Sequence, residues 1–408
     1  MEAKQTKKTK LQEVEDYINL SYEFRYNTIK QKPEYLENNI WKPLDKYKLL
    51  SIKRELDSFN LIISKDSLLD ILCSDFAPAV NPVKNYFENL QKYDNKKDYI
   101  KELCNTITTK NDDEFYIYFK KWITAVVANI FIDNYCANHT CLVLTGEQGK
   151  YKTSWLENLI PKELSSYNYT GKLNLESKDT LTYLAEYFII NIDDQLKQLH
   201  KKDENELKNL ITINSVKYRK PYDHIITEYP HLASFCASVN GNDFLNDPTG
   251  SRRFLPFEVL DIDIKKAQKL DLTLIYSQAL HLFNNKFEYW FNEEDINKLN
   301  KRNDNFSIIS VEEELISNYY KPEITNRNVF TGEITKYLTS SMILVDLEIK
   351  TRQRLNKKKL GEALNKLRFE KKQKTIDNSV KWVYKIIEKS TDTIEAQHKE
   401  EIEQPEIF

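Results

Sequence analysis

The sequence predicts an α/β core, with a helical region before it and a smaller helix-plus-hairpin module after it. Three observations lead there. Between about 140 and 260 the apolar runs "CLVLT" (141–145), "YFIINID" (187–193) and "HLASFCASVN" (231–240) alternate with polar helical segments. Buried parallel strands covered by helices read this way. Only 7 glycines occur in 408 residues, yet Gly146 and Gly149 stand three apart, just after the first run. Near the C-terminus a basic helical pattern precedes two β-like runs, "KKQKTI" and "VKWVYKII", joined by "DNS".

Taken in order, residues 1–10 are polar and lysine-rich and read as a disordered basic arm. Up to residue 64, helical and short extended patterns alternate in a small α/β or winged-helix-like region. Its best strand candidate is "YEFRYN" (22–27). Residues 65–137 read as a helical collar, with apolar residues at helical spacing in "EFYIYFKKWITAVVANIFIDNY" (114–135). The α/β core is expected over 138–300, a winged-helix-like module over 301–388 and an acidic flexible tail over 389–408.

Composition bounds the function. Hydrophobic residues make up 40% and charged residues 30%, which fits a soluble globular chain rather than a disordered one. A formal net charge of −2 gives no global basic field, so any nucleic-acid signal must be local. The cysteines at 73, 104, 136, 141 and 236 form no CxxC and no paired framework. "CANHTC" (136–141) lacks a second ligand pair for zinc, and the cysteines read as reduced, which suggests a cytoplasmic location. "MEAKQTKKTK" has no apolar segment behind its lysines, and no run reaches the length needed to cross a bilayer.

Glycine has the most backbone freedom to lose, so it is used where φ is positive or a ligand approaches the main chain. A buried strand followed by G-x-x-G-x-x-K-T and a helix offers what a nucleoside triphosphate needs. Main-chain N–H groups would cradle phosphates, Lys152 would reach the β/γ-phosphates, and Thr153 would hold Mg²⁺. Gly146, Lys152 and Thr153 fit GxxxxGK[ST], but Tyr151 replaces its second glycine. The competing reading is a plain strand–turn–helix with a solvated lysine.

The second run ends in Asp193 and Asp194. Like charges repel there, a cost that Mg²⁺ held by Asp193 would relieve while Asp194 polarises water. A solvated turn would also explain two acids. The third run leads to Asn240, placed to orient water or touch a γ-phosphate, and a "DPTG" turn then carries Arg252 and Arg253. That pair reads either as a rigidly mounted guanidinium acting on a neighbouring subunit's phosphate or as surface arginines solvated beside Asp247. Between 352 and 374, ten Lys/Arg face two Glu, and Leu355, Leu360, Leu364 and Leu367 make the stretch amphipathic. Helix followed by β-hairpin is the layout of a winged helix, which docks on duplex DNA. A merely solvated basic helix is the alternative.

In this order, "GEQGKYKT", "INIDDQ", "LKNLITINSVKYRKPY", "FCASVNGNDFL" and "DPTGSRRF" resemble the virulence-associated protein E family. Its members are P-loop ATPases related to superfamily 3 helicases and are encoded on phages, genomic islands and other mobile elements. The upstream "NPVKNYFENLQKYD" fits the same resemblance, which covers residues 65–260 well.

The resemblance implies a P-loop NTPase core of AAA+/superfamily 3 type. It implies nucleotide binding by Gly146, Glu147, Gln148, Gly149, Lys150, Tyr151, Lys152, Thr153 and Ser154, with Asp193 and Asp194 as the second acidic motif. Asn240 would be the sensor, and Arg252 or Arg253 the arginine finger. Lys217, Arg219 and Lys220 would contact DNA phosphates, with Tyr218 and Tyr222 nearby for stacking. Lys357, Lys358 and Lys359 head the C-terminal basic helix as further DNA contacts. Tyr151, and Asp194 where many relatives carry glutamate, are departures that would slow hydrolysis without abolishing binding.

The expected protein is a cytoplasmic DNA-dependent ATPase of a mobile element or phage, with ATP and Mg²⁺ as cofactors. As a helicase-type motor it would form a hexamer-type homo-oligomeric ring on single-stranded or forked DNA, with duplex held by the C-terminal module and no membrane partner. Fewer than about 65 residues precede the helical segment, too few for a polymerase core, so a primase would be a separate partner. The second expectation is a nucleotide-switched DNA-binding or sensing ATPase, in phage defence or origin recognition, that does not unwind.

Overall fold

Thr9 opens the first helix with a reciprocal cap: its hydroxyl accepts from the Gln12 N–H, while the Gln12 side chain accepts from the Thr9 N–H. The computed structural model describes residues 8–219, 226–246, 251–322, 335–376 and 379–389. Of the arm expected over 1–10 the structure describes residues 8–10, of which Thr9 and Lys10 already belong to the first helix and its cap; residues 1–7, the tail beyond Lys389, the "DPTG" turn at 247–250, Lys220 and Tyr222 lie outside the described residues. Two units emerge, residues 1–307 and 308–408.

In the first unit, α1 (Lys10–Ser21) precedes β1 (Phe24–Asn27), β2 (Lys32–Glu37) and β3 (Ile40–Pro43), an antiparallel meander. α2 (Lys46–Ser58) and α3 (Lys65–Leu72) follow, and β4 (Ala79–Val80) pairs parallel to β1. Val14, Ile18, Phe24, Ile52, Leu56 and Leu68 form a core of their own beneath these elements.

Next come α4 (Pro82–Glu88), α5 (Tyr99–Cys104), β5 (Ile107–Thr109) and α6 (Asp112–Phe131). The apolar run 141–145 is β6 (Cys141–Thr145), followed by α7 (Lys152–Glu157), β7 (Asn168–Gly171) and α8 (Lys178–Glu186). β8 (Ile189–Asp193), α9 (Lys201–Thr212), and the hairpin of β9 (Ser215–Tyr218) and β10 (Thr227–Pro230) lead to β11 (Ser234–Ser238) and β12 (Phe254–Ile262). α10 (Ile264–Ala267), α11 (Leu272–Asn284) and α12 (Glu293–Asn303) close the unit.

Six strands make one sheet in the order β5-β12-β6-β11-β8-β7, all parallel except the edge strand β5. Alternation along β6 sends Leu142 and Leu144 into one core and Cys141 and Val143 into the other, so both faces are covered. The helical stretch 65–137 does not stand apart from this sheet. Phe115, Phe119, Trp122 and Val126 of α6 lie in the first of these cores, and the Trp122 indole donates to the Phe235 carbonyl at 3.1 Å. Parallel strands also bring the C-terminal ends of β6, β8 and β11 together, and that edge carries the site.

The second unit contains α13 (Val311–Tyr319), β13 (Tyr320–Pro322), β14 (Thr335–Leu338), α14 (Ser340–Thr351) and α15 (Lys357–Lys366). β15 (Lys371–Ile376) and β16 (Ser379–Glu388) pair antiparallel from Lys371↔Tyr384 to Ile376↔Ser379, and β13 and β14 also pair with β16. Ile316, Ile343, Leu347, Leu360, Leu364 and Ile386 form its core. Among the described residues, no helix of the chain is long and apolar enough to cross a membrane.

Candidate functional site

Past Thr145 the chain turns back from the sheet edge into α7. Gly146 has φ +123° and exchanges main-chain hydrogen bonds with Gly241, at 3.0 and 3.4 Å. A Cβ at Gly146 would sit 2.7 Å from the Val259 carbonyl oxygen, so only glycine fits. Gly149 has open space around it but φ +83°, so its need is conformational. Tyr151 takes φ 55°, ψ 22°, the left-handed conformation a glycine would adopt without cost, and its ring is exposed. The turn keeps its path, and the tyrosine bears about 1–2 kcal/mol of strain. Glu147 and Gln148 are exposed, Lys150 lies 3.8 Å from Glu147, and Ser154 is half-buried on α7.

Lys152, 5% exposed, folds its ammonium back onto the turn. It donates to the carbonyls of Gly146 at 3.1 Å and Glu147 at 2.5 Å, and to Asn240 Oδ1 at 3.3 Å. Burial pulls its pKa down, opposed by the charges of Asp194, Asp193 and Glu147. Beside it Thr153 donates to Asp193 Oδ1 at 2.8 Å, Ser238 donates to the same oxygen at 2.7 Å, and the two hydroxyls are 3.0 Å apart. Asp194, at φ +46°, donates its N–H to the Ser238 carbonyl and accepts from the Asn240 N–H at 3.4 Å.

Three strand ends therefore gather Lys152, Thr153, Asp193, Asp194 and Asn240, all singled out in the sequence. They also gather Ser238 and Gly241, which were not. Hydroxyl and carboxylate oxygens are hard donors suited to Mg²⁺, an ion that keeps waters and takes phosphate oxygens. Thr153 and Asp193 could hold it, with Ser238 adjacent. No group of three or more His, Cys, Asp or Glu placed to hold a metal occurs among the described residues, so such an ion would draw further ligands from phosphate and water.

Arg252 and Arg253 are not brought to this edge. They end a 3₁₀ turn (Ser251–Arg253) just before β12, whose Phe254 is in register with Cys141, the first residue of β6. The strand's five residues at about 3.3 Å each put roughly 17 Å between the pair and the glycine turn. Arg252 is exposed and Arg253 half-buried; burial, then the Arg252 charge, lower the Arg253 pKa.

Among the DNA candidates, Lys217 is exposed on β9, 3.2 Å from Glu228, and Arg219 is exposed just past that strand. Tyr218 needs correction: it is buried against Tyr229, ring centroids 4.6 Å apart, and cannot stack on a base. Alternation along β9 explains this, since Val216 and Tyr218 share the inner face and Lys217 points out. Lys357, Lys358 and Lys359 are exposed in the first turn of α15, where the Asn356 side chain caps the N–H groups of Lys358 and Lys359.

The model of the virulence-associated protein E-like domain matches residues 87–308, more than half of the chain. No curated protein matches it. Among solved structures, the apo NrS-1 C-terminal region aligns with a TM-score of 0.51 at 12% identity, covering 94% of this chain and 100% of that one. The A form of the same apo region gives 0.51 at 12%, covering 93% and 99%. At such identity the likeness is one of fold. With the family model spanning the glycine turn and all three strand ends, the chain belongs to the virulence-associated protein E-like family.

Proposed function

We propose that the chain is a DNA-dependent ATPase, a ring-forming helicase-type motor serving replication of a phage or mobile element. One observation carries the reading: Lys152, Thr153, Asp193, Asp194 and Asn240 converge at one sheet edge beside a turn that only glycine at 146 permits. The turn carbonyls that now hold the Lys152 ammonium are replaceable partners, so a triphosphate would take their place. Asp194 and Asn240, joined by a hydrogen bond, would hold the attacking water. A bound Mg²⁺ would supply positive charge for the phosphate oxygens. Roughly 17 Å of strand would keep Arg252 and Arg253 from acting in cis, so one of them would serve the neighbouring subunit's nucleotide.

Steady-state ATPase rates with and without single-stranded and forked DNA test this, with Lys152→Ala as control. Stimulation by DNA, abolished in a folded Lys152→Ala protein, is expected; wild-type turnover in that variant refutes the assignment. A nucleotide-switched DNA-binding protein is the second reading. It is favoured by strain at Tyr151 and by an aspartate at 194, one methylene shorter than glutamate and held by Asn240. ATP binding with negligible turnover would select it.

A further inference from the structure

At the other end of the sheet from the glycine turn, a cavity of about 370 Å³ is lined by Asn138, His139, Arg252, Arg253, Tyr289 and Trp290, among others. That volume is in the range of small-molecule sites. Its polar side holds donors without acceptors. Asn138 is 1% exposed; its Oδ1 accepts from the N–H and hydroxyl of Thr140, which fixes the amide and leaves Nδ2 buried with no partner. Arg253 Nε is likewise buried and unpaired, and no carboxylate is among the described residues that line the cavity with the two arginines. His139 titrates below its ordinary range, through burial and then the charges of Arg253 and Arg252, so the neighbourhood is positive. Buried donors of this kind cost stability until an acceptor arrives.

The opposite side is aromatic. Trp290 is 52% exposed at the cavity, with Tyr289 edge-on to it at 5.4 Å. The Trp290 carbonyl is anchored by Lys121, which also pairs with Asp295. An exposed indole on a fixed backbone is a platform for a planar ring, and guanidinium and amide donors suit a phosphate.

We propose that this cavity is a second nucleoside-phosphate site, independent of the glycine turn, in which Arg253 and Asn138 hold the phosphate and Trp290 stacks on the base. The pair of arginines is thereby divided: Arg253 serves the cavity, while the exposed Arg252 is left for the neighbouring subunit. Free mononucleotide and the phosphorylated end of a DNA strand share this chemistry.

The test uses full-length Lys152→Ala protein, so that the glycine turn contributes nothing, and follows tryptophan fluorescence on titration. The probes are deoxyadenosine 5′-monophosphate and a short single strand with either a 5′-phosphate or a 5′-hydroxyl. Saturable binding of one probe per chain is expected. Asn138→Asp keeps the acceptor for Thr140 but puts negative charge where Nδ2 stood, and should weaken binding at least tenfold. Trp290→Ala, an exposed change, should weaken it comparably, with binding then followed by calorimetry. Binding of the monophosphate alone identifies a free nucleotide, and preference for the 5′-phosphorylated strand identifies a DNA end. No saturable binding by either probe, or an Asn138→Asp protein that binds as tightly as its parent, overturns the proposal. Neither result bears on turnover at the glycine turn, which the rates with intact Lys152 decide.

Discussion

The two ends of the parallel sheet handle charge in opposite ways. At the C-terminal end Lys152 lies among its own turn's carbonyls, Asn240 and two aspartates, and Asp193 is met by two hydroxyls. At the other end Arg252, Arg253 and His139 gather with no carboxylate among the described residues, and two buried donors are unmet. One end is neutralised from within and, on the function proposed above, would exchange partners when a ligand arrives. The other has donors left over and, on the second proposal, would take an anion from outside. Lys357, Lys358 and Lys359 repeat the second pattern in the C-terminal unit, exposed in a first helical turn, where the macrodipole disfavours cations.

The largest expected effect breaks the contrast across subunits. An arginine finger contributes about 10³–10⁵ in rate, or roughly 4–7 kcal/mol of barrier. Arg252→Ala should suppress turnover by that order while sparing ATP binding, measured by calorimetry. Mixed with Lys152→Ala under conditions of subunit exchange, it should regain part of the activity, since some interfaces then pair an intact turn with an intact arginine. Mixed assemblies without recovered activity, for Arg252 and Arg253 alike, would return the pair to another role.

Within the closed end, Asp194→Asn keeps the hydrogen bond from the Asn240 N–H but removes the charge that, on the proposed function, would orient water. A fall in kcat of about 10²–10³ is expected, the size typical of losing one preorganised electrostatic group. An unchanged kcat would leave Asp194 as a strand terminator only.

The third effect concerns the exposed lysines. Each phosphate contact adds about 0.9 to the slope of log K against log salt on duplex DNA. Replacing Lys357, Lys358 and Lys359 together by glutamine should flatten that slope by up to about 2.7 without lowering thermal stability. An unchanged slope supports a solvated helix.

Smallest is Tyr151→Gly. Relief of left-handed strain by about 1–2 kcal/mol is partly offset by glycine's greater freedom in the unfolded chain, about 0.4–1 kcal/mol. A net gain under about 1.5 kcal/mol in denaturant unfolding is expected, with hydrolysis equal or faster. Loss of ATP binding would show that the ring itself touches nucleotide.

Much of this was legible in the sequence because parallel strands buried on both faces are apolar throughout and end in their polar residues. The runs at 141–145, 187–193 and 231–240 are therefore visible, along with Lys152, Asp193, Asp194 and Asn240 at their ends. β12 was not, because Pro256 argues against an interior strand. The structure tolerates it because β5 covers β12 only from Val259 to Ile262. At Pro256 no described strand pairs on the side away from β6, and its carbonyl there accepts from Arg302. β5 has three residues and a partner about 150 positions away, so it carries no period of its own. Ser238 had only its place at the end of an apolar run as a signal. Tyr218 was misread because an aromatic among basic residues suggests stacking, whereas two-residue alternation already turned it inward.

β12 begins beside Arg253 and carries, five steps on, the Val259 carbonyl against which Gly146 rests. It is zipped to β6 from Phe254↔Cys141 to Glu258↔Thr145, and an extended chain cannot lengthen. The strand is a tie rod about 17 Å long between the two edges. On the proposed function, a triphosphate that displaced the glycine turn would bear on Val259, and the strain would be carried to where Phe254 meets the arginines. In a ring, each subunit would then report the state of its own turn through the guanidinium it offers its neighbour, giving a mechanical basis for firing order.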